Sequence, residues 1–176
     1  FKCYARRIQK LRPSVNMGWS NNQTKTVAML DIDPSLWEAA LVFQIKRMKY
    51  TEHRWLDSGD VPNVQFLASV CEVARQTPNV QHWLPTREVK TLLAFIKQYG
   101  ADHIPDNLNI RVSAPMINDK PLSAFDSVPQ ITTSTVHDKH AVPHGYSCPA
   151  RSQGNACGDC RACWSSDVDN VSYPIH

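Results

Sequence analysis

A chain of 176 residues, 42% apolar and 20% charged with only 6 glycines, has the size and make-up of one globular domain, which excludes disordered and collagen-like readings. Its net charge of +3 and pI near 8.6 do not mark a nucleic-acid binder, and no apolar run reaches the ~18 residues of a membrane span. The opening Phe1-Lys2-Cys3-Tyr4 has no apolar core ahead of a cleavage site, so a reducing compartment is expected, where six cysteines do not read as a disulfide framework.

Residues 1–33 open on a basic stretch, Arg6-Arg7-Ile8-Gln9-Lys10, and pass through Ser20-Asn21-Asn22-Gln23, a polar run that reads as a loop. Asp33-Pro34 supplies a cap followed by proline at the first helical position. Trp37, Leu41, Ile45 and Met48 then recur every three or four residues, which predicts an amphipathic helix. His53-Arg54-Trp55-Leu56 reads as a strand ending in the turn Asp57-Ser58-Gly59-Asp60. Val64, Leu67, Cys71 and Ala74 form the apolar stripe of a second helix, which makes Cys71 a small buried hydrophobe.

The unit repeats. Thr77-Pro78-Asn79 makes a turn, Val80-Gln81-His82-Trp83-Leu84 a strand, and Thr86 caps a helix carrying Val89, Leu92, Leu93, Ile96 and Tyr99 that Gly100 ends. Leu108-Asn109-Ile110-Arg111-Val112-Ser113 and Ile131-Thr132-Thr133-Ser134-Thr135-Val136 are further strands. This alternation predicts an α/β fold, a small parallel sheet or partial (βα) barrel, because about four strands are too few for a closed eight-unit barrel. From Val136 onward the chain is rich in histidine, proline and cysteine and reads as irregular. Residues 1–176 are thus expected to form a single domain, with 136–176 as a metal- or cluster-binding C-terminal segment.

Four cysteines stand in that segment, as Cys148-Pro149 and Cys157-Gly158-Asp159-Cys160-Arg161-Ala162-Cys163-Trp164. Three thiols in one short loop cannot all find disulfide partners there, so thiolate ligation is the better account. A single zinc ion usually takes two separated C-x2-C knuckles, and a third cysteine at the same spacing strains that pattern. A cubane offers a different iron to each thiolate, and a cysteine followed by proline commonly holds the last one. The spacing therefore predicts a [4Fe-4S] cluster, with Zn2+ as the alternative, held by Cys157, Cys160, Cys163 and either Cys148 or Cys3. With neither Cys148 nor Cys3 bound, one iron stays open to a thiol, sulfide or carboxylate ligand.

Ligands of parallel α/β folds sit at the C-terminal ends of strands. That rule selects Asp57, Ser58 and Asp60 after one strand, Thr86, Arg87 and Glu88 after the next, and Arg111, Ser113 and Asn118 after the third. Asp60 and Thr86 are equally well read as helix caps. Asp57 and Arg87 would form an ion pair or bind the amine and carboxylate of an amino-acid-like molecule. Asp57, Asp60, Arg87 and Arg111 are the catalytic candidates. His137, His140 and His144 are further candidates as ligands or proton shuttles, in a spacing that demands no metal.

Cys3-Tyr4-Ala5, Arg54-Trp55-Leu56-Asp57-Ser58-Gly59-Asp60, His82-Trp83-Leu84-Pro85-Thr86-Arg87-Glu88, Ile110-Arg111-Val112-Ser113 and the cysteine blocks together resemble a family of bacteriophage proteins, the gene product eighty-eight family. The resemblance implies a phage-encoded protein acting in the host cytoplasm and gives no reaction. More distantly, the layout is similar to a shortened radical S-adenosylmethionine barrel. There a cysteine followed by an aromatic residue lies in the first loop, and a Gly-Gly-Glu-like turn holds the methionine amine. Cys3-Tyr4 and Ser58-Gly59-Asp60 occupy comparable places, although no C-x3-C-x2-C stands near the start.

Three functions follow as expectations. The first is an iron–sulfur protein, an enzyme if an open iron takes a small sulfur- or carboxylate-bearing ligand beside Asp57, Asp60, Arg87 and Arg111. The second is a zinc-stabilised phage protein that binds a host protein or nucleic acid. The third is a degenerate radical S-adenosylmethionine enzyme.

Overall fold

The computed structural model describes residues 4–175, with side chains from residue 7 onward; Cys3, a candidate ligand, lies outside them. Three helices come first: α1 (Tyr4–Leu11), α2 (Pro13–Ile32) and α3 (Pro34–Met48). Strands and helices then alternate as β1 (Glu52–Arg54), α4 (Val64–Gln76), β2 (Gln81–Thr86), α5 (Val89–Tyr99) and β3 (Leu108–Ile117), followed by β4 (Ile131–His137), β5 (Tyr146–Ser147) and β6 (Asn170–Pro174). The six strands make one all-parallel sheet in the order β1-β2-β3-β4-β6-β5, which curls into a half-barrel. The expected α/β class is observed.

Local chemistry explains the helix starts. Asp33 Oδ1 accepts from the backbone N–H of Ser35 at 3.0 Å and of Leu36 at 3.3 Å, so the cap and the proline act together as expected. Asn63 does the same for α4 through Phe66 N–H at 2.8 Å. The stripe of α3 is turned from the expected one: Trp37, Val42 and Ile45 are buried, and Met48 is exposed.

Leu30 and those α3 residues pack with α4, with Leu92 and Phe95 of α5, and with Leu84, Ile110, Val112 and Ile131 of the sheet in one large core. Cys71 is fully buried there, and burial pushes its thiol up to about 12, so it is the core residue that the sequence indicates. Replacing Cys71 by serine is expected to cost about 1–2 kcal/mol in urea unfolding, because a hydroxyl enters an apolar site.

Three expectations are corrected. Ser20-Asn21-Asn22-Gln23 is not a loop but the middle of α2. Only Leu30 of that helix is buried, and on a solvated helix polar residues cost just a few tenths of a kcal/mol each relative to alanine. The region after Val136 is not irregular throughout, since it contributes β5 and β6 and brings the strand count to six. Asn170-Val171-Ser172-Tyr173-Pro174 escapes a pattern reading because it is short, ends in proline and is buried on both faces at Asn170, Val171 and Ser172. Thr86 is also not the α5 cap. That position belongs to Glu88, which makes no side-chain cap bond.

Candidate metal centre

Strand periodicity sorts β3 into two faces. Leu108, Ile110 and Val112 join the large core, so Asn109, Arg111 and Ser113 point the other way. Parallel register sets Trp83 beside Asn109 and Pro85 beside Arg111, and farther along Ser134 beside Val171 and Val136 beside Tyr173. Trp83, Asn109, Arg111, Val171 and Tyr173 therefore share this second face, and the segment between β5 and β6 covers it, with Ala162, Cys163 and Trp164 packed against it.

A covering segment without regular ladders leaves carbonyls that need donors. The strand supplies them. Asn109 Nδ2 donates to the carbonyls of Cys163 at 2.9 Å and Ser165 at 3.1 Å. Arg111 Nη2 donates to the carbonyls of Ala162, Ser165 and Val168 at 2.9, 3.1 and 3.1 Å, and Nη1 to Thr133 at 2.7 Å. Arg111 is fully buried, and desolvation lowers its pKa. Its guanidinium is thus committed to holding the cysteine loop on the sheet.

The loop is fixed to β1 as well. Arg161 Nε meets Glu52 Oε1 at 2.7 Å, which holds the Glu52 carboxyl below its ordinary range. Trp164 Nε1 donates to His53 O at 3.0 Å, and its ring meets Trp83 edge-on at 5.2 Å.

Within this frame Cys148 follows β5, its N–H donating to Ser172 O at 2.9 Å. The Cys157 turn closes through Cys160 N–H to Cys157 O at 3.0 Å, with Gly158 at φ 54 in the left-handed region that favours glycine. Cys160 Sγ lies 3.4 Å from Tyr146 Oη, and Cys163 Sγ 3.1 Å from Tyr173 Oη, both in hydrogen-bonding contact. Cys163 is buried, Cys148 and Cys160 are half-buried, and Cys157 is exposed. Burial pushes the Cys163 thiol up to about 11. The Tyr173 hydrogen bond and the Arg111 charge oppose the shift, while Cys148 and Cys157 add to it from nearby. Burial raises Tyr173 too, with Cys163 next in effect.

All five described cysteines are free thiols. Among the described residues no three His, Cys, Asp or Glu side chains stand in an arrangement that holds a metal ion. The donor set nonetheless suits a soft metal: Cys148, Cys160 and Cys163 pack on one face, and Cys157 lies exposed on the same loop. A second observation points the same way. Among the described residues, Ser69 Oγ, Trp83 Nε1 and Arg111 Nε are buried side-chain polar atoms without a hydrogen-bond partner. Two of those three are N–H donors on the cysteine-bearing face, and each costs about 1–3 kcal/mol if left unpaired.

The carboxylate candidates sit elsewhere along the strands. Asp60 accepts from Thr86 Oγ1 at 2.6 Å, from Arg87 N–H at 2.9 Å and from Val61 N–H at 2.8 Å, which ties the turn after β1 to the end of β2. Arg87 Nη2 donates to the carbonyls of Ala114 and Pro115 in β3 at 3.1 and 3.2 Å. Asp57 lines a cleft of about 480 Å³ with Gln9, Trp19, Asn22, Gln23 and Gly59. The cysteine loop instead meets Glu52 and His53 at the start of β1 and Asn109 near the start of β3. Of the four catalytic candidates, the contacts therefore bring Arg111 to the thiols and join Asp60 and Arg87 into a second group at the opposite strand ends. His137 Nδ1 contacts Ser172 Oγ at 2.7 Å, and His144 O accepts from Asn170 Nδ2 at 2.6 Å, so both serve β6.

Pattern reading missed Trp83, Asn109, Tyr146 and Tyr173 as parts of the site. One signal was available: Asn109 and Arg111 alternate with three apolar residues in a strand flanked on both sides, where a polar row implies a polar cover.

A protein-family model described as Gene product 88 matches residues 1–166. No curated protein and no solved structure matches the chain. No described helix is long and apolar enough to cross a membrane.

Proposed function

The chain belongs to the gene product 88 family of bacteriophage proteins, and from that premise we propose that it binds an iron–sulfur cluster of the [4Fe-4S] type in the host cytoplasm. Cys157, Cys160 and Cys163 hold three irons, and Cys148 or Cys3 holds the fourth or leaves it open. The observation that supports this reading is the packing of Cys148, Cys160 and Cys163 beside two unpaired buried N–H donors on one sheet face, with Cys157 on the same loop. Such a cluster stores an electron or, at an open iron, acts as a Lewis acid toward a small sulfur- or carboxylate-bearing ligand.

The chain's own residues have defined parts in this. Asn109 and Arg111 fix the loop, Trp83 and Trp164 keep water from its inner side, and Tyr173 and Tyr146 orient the Cys163 and Cys160 sulfurs. The reading requires the exposed Cys157 turn to close inward on the others, and the left-handed Gly154, Asn155 and Gly158 are the joints that allow it.

Protein purified without oxygen is expected to be brown and to contain about four irons and four sulfides per chain. Serine at Cys157, Cys160 or Cys163 should remove most of both, and serine at Cys71 should leave them. Separate serine variants of Cys148 and Cys3 identify the fourth ligand. A colourless protein with one zinc and no sulfide would sink the proposal in favour of a zinc-stabilised protein that binds a host partner.

A further inference from the structure

Resting on that reading, we propose that Trp83 and Arg111 are hydrogen-bond donors to the sulfur of the bound centre, with Trp83 Nε1–H and Arg111 Nε–H each taking a thiolate or sulfide as acceptor.

The register places the two side chains diagonally on neighbouring strands, since Trp83 pairs with Asn109 and Arg111 with Pro85. Both lie on the face that receives the cysteine loop. Trp83 packs with Cys163 in the small core, with Cys148 and Cys160 at its margin. Trp83 is 8% exposed and Arg111 is 0% exposed, so bulk water does not serve either group.

The nearby oxygen acceptors are already in use. The carbonyls of Ala162, Cys163, Ser165 and Val168 accept from Arg111 Nη2 and Asn109 Nδ2, and His53 O accepts from Trp164 Nε1. Neither Trp83 Nε1 nor Arg111 Nε reaches an oxygen, and the face also carries sulfur at Cys148, Cys160 and Cys163. A thiol sulfur is a weak acceptor, whereas a metal-bound thiolate or a bridging sulfide carries negative charge and is a strong one. Binding the centre therefore supplies the partner that both N–H groups lack, and the two donors form an outer shell around it.

A donor to a cluster sulfur stabilises the more negative, reduced state, so it raises the reduction potential. Trp83→Phe removes the N–H and keeps an aromatic ring against Cys163. Full-length protein loaded with its cluster is the material, read by anaerobic redox titration and by pulsed EPR of the reduced state with 15N in the tryptophan indoles. The expected result is the wild-type iron and sulfide content in Trp83→Phe with a lower midpoint potential. The wild-type spectrum should show an indole nitrogen coupled to the cluster that is lost in the variant, while an exchangeable proton coupling from Arg111 Nε–H remains.

An unchanged potential at full loading overturns the inference while leaving the cluster in place. If Trp83→Phe does not load, the wild-type spectrum decides alone, and absence of the coupled indole nitrogen overturns the inference. Wild-type protein without iron or sulfide overturns the cluster reading and this inference with it.

Discussion

Replacing Arg111 by methionine is expected to destabilise the fold by about 3–5 kcal/mol, the range for removing one partner of a buried charged network. For a domain of this size that corresponds to a fall of roughly 10 °C in Tm. Methionine fills much of the space of the arginine stem, so the loss comes from hydrogen bonds rather than from a cavity. The carbonyls of Thr133, Ala162 and Val168 lose this donor, and Ser165 O keeps only Asn109. The damage should be concentrated: limited proteolysis is expected to cut the variant first between β5 and β6. A loss below about 1 kcal/mol with an unchanged digestion pattern would show that the loop docks without the guanidinium.

The second large effect is acid sensitivity at His82. This residue is fully buried, and Trp55 Nε1–H donates to its Nδ1 at 3.2 Å. Its Nε2 therefore carries the proton and faces Thr77 Oγ1 at 2.8 Å, while that hydroxyl donates to Val73 O at 2.7 Å. Both ring nitrogens are satisfied in the neutral form. Burial, and then the charge of His53, push the pKa down from 6.5 to about 3. Because the folded value lies below the unfolded one, the stabilisation is complete above pH 6.5 and is lost as pH falls toward 3, at about 1.4 kcal/mol per unit. Urea unfolding of wild type and His82→Gln at pH 7.5, 6.0 and 5.0 tests this, because groups common to both chains cancel in the difference. The wild-type advantage should shrink with acid, and parallel pH profiles would show that His82 does not carry the proton linkage.

The legible parts of the fold were those where one local rule sufficed. Asp33-Pro34 announced α3, the stripe through Leu67 and Cys71 announced α4, and alternating strands and helices announced a parallel sheet. The cysteine spacing directed attention to the loop around Cys157, Cys160 and Cys163, and the structure places that loop on a polar sheet face. What stayed hidden depends on partners far away in sequence. The rule that sites form at the C-terminal strand ends selects Arg111, and it does not foretell what that residue faces: its donors turn toward carbonyls some fifty residues onward. Asp60 looked equally like a cap or a ligand-binding group, and its three hydrogen bonds make it the joint between the ends of β1 and β2. Ser20 to Gln23 failed for the opposite reason, since a solvated helix needs no apolar stripe to betray it.

The placing of β6 between β4 and β5 has a kinetic meaning. Every other ladder joins strands in chain order, so it can close as soon as its second strand exists. The β4 ladder must wait for Asn170, 37 residues after its partner Thr133, and β5 has no neighbour in the sheet until the same strand arrives. Closing that span carries the largest loop-entropy cost in the sheet and makes it the slow step of assembly. Until then the thiols between β5 and β6 hang in an unclosed loop, open to a metal donor or to an oxidant. Of these four thiols only Cys163 is buried once β6 docks, so its access to solvent is what the order of assembly decides.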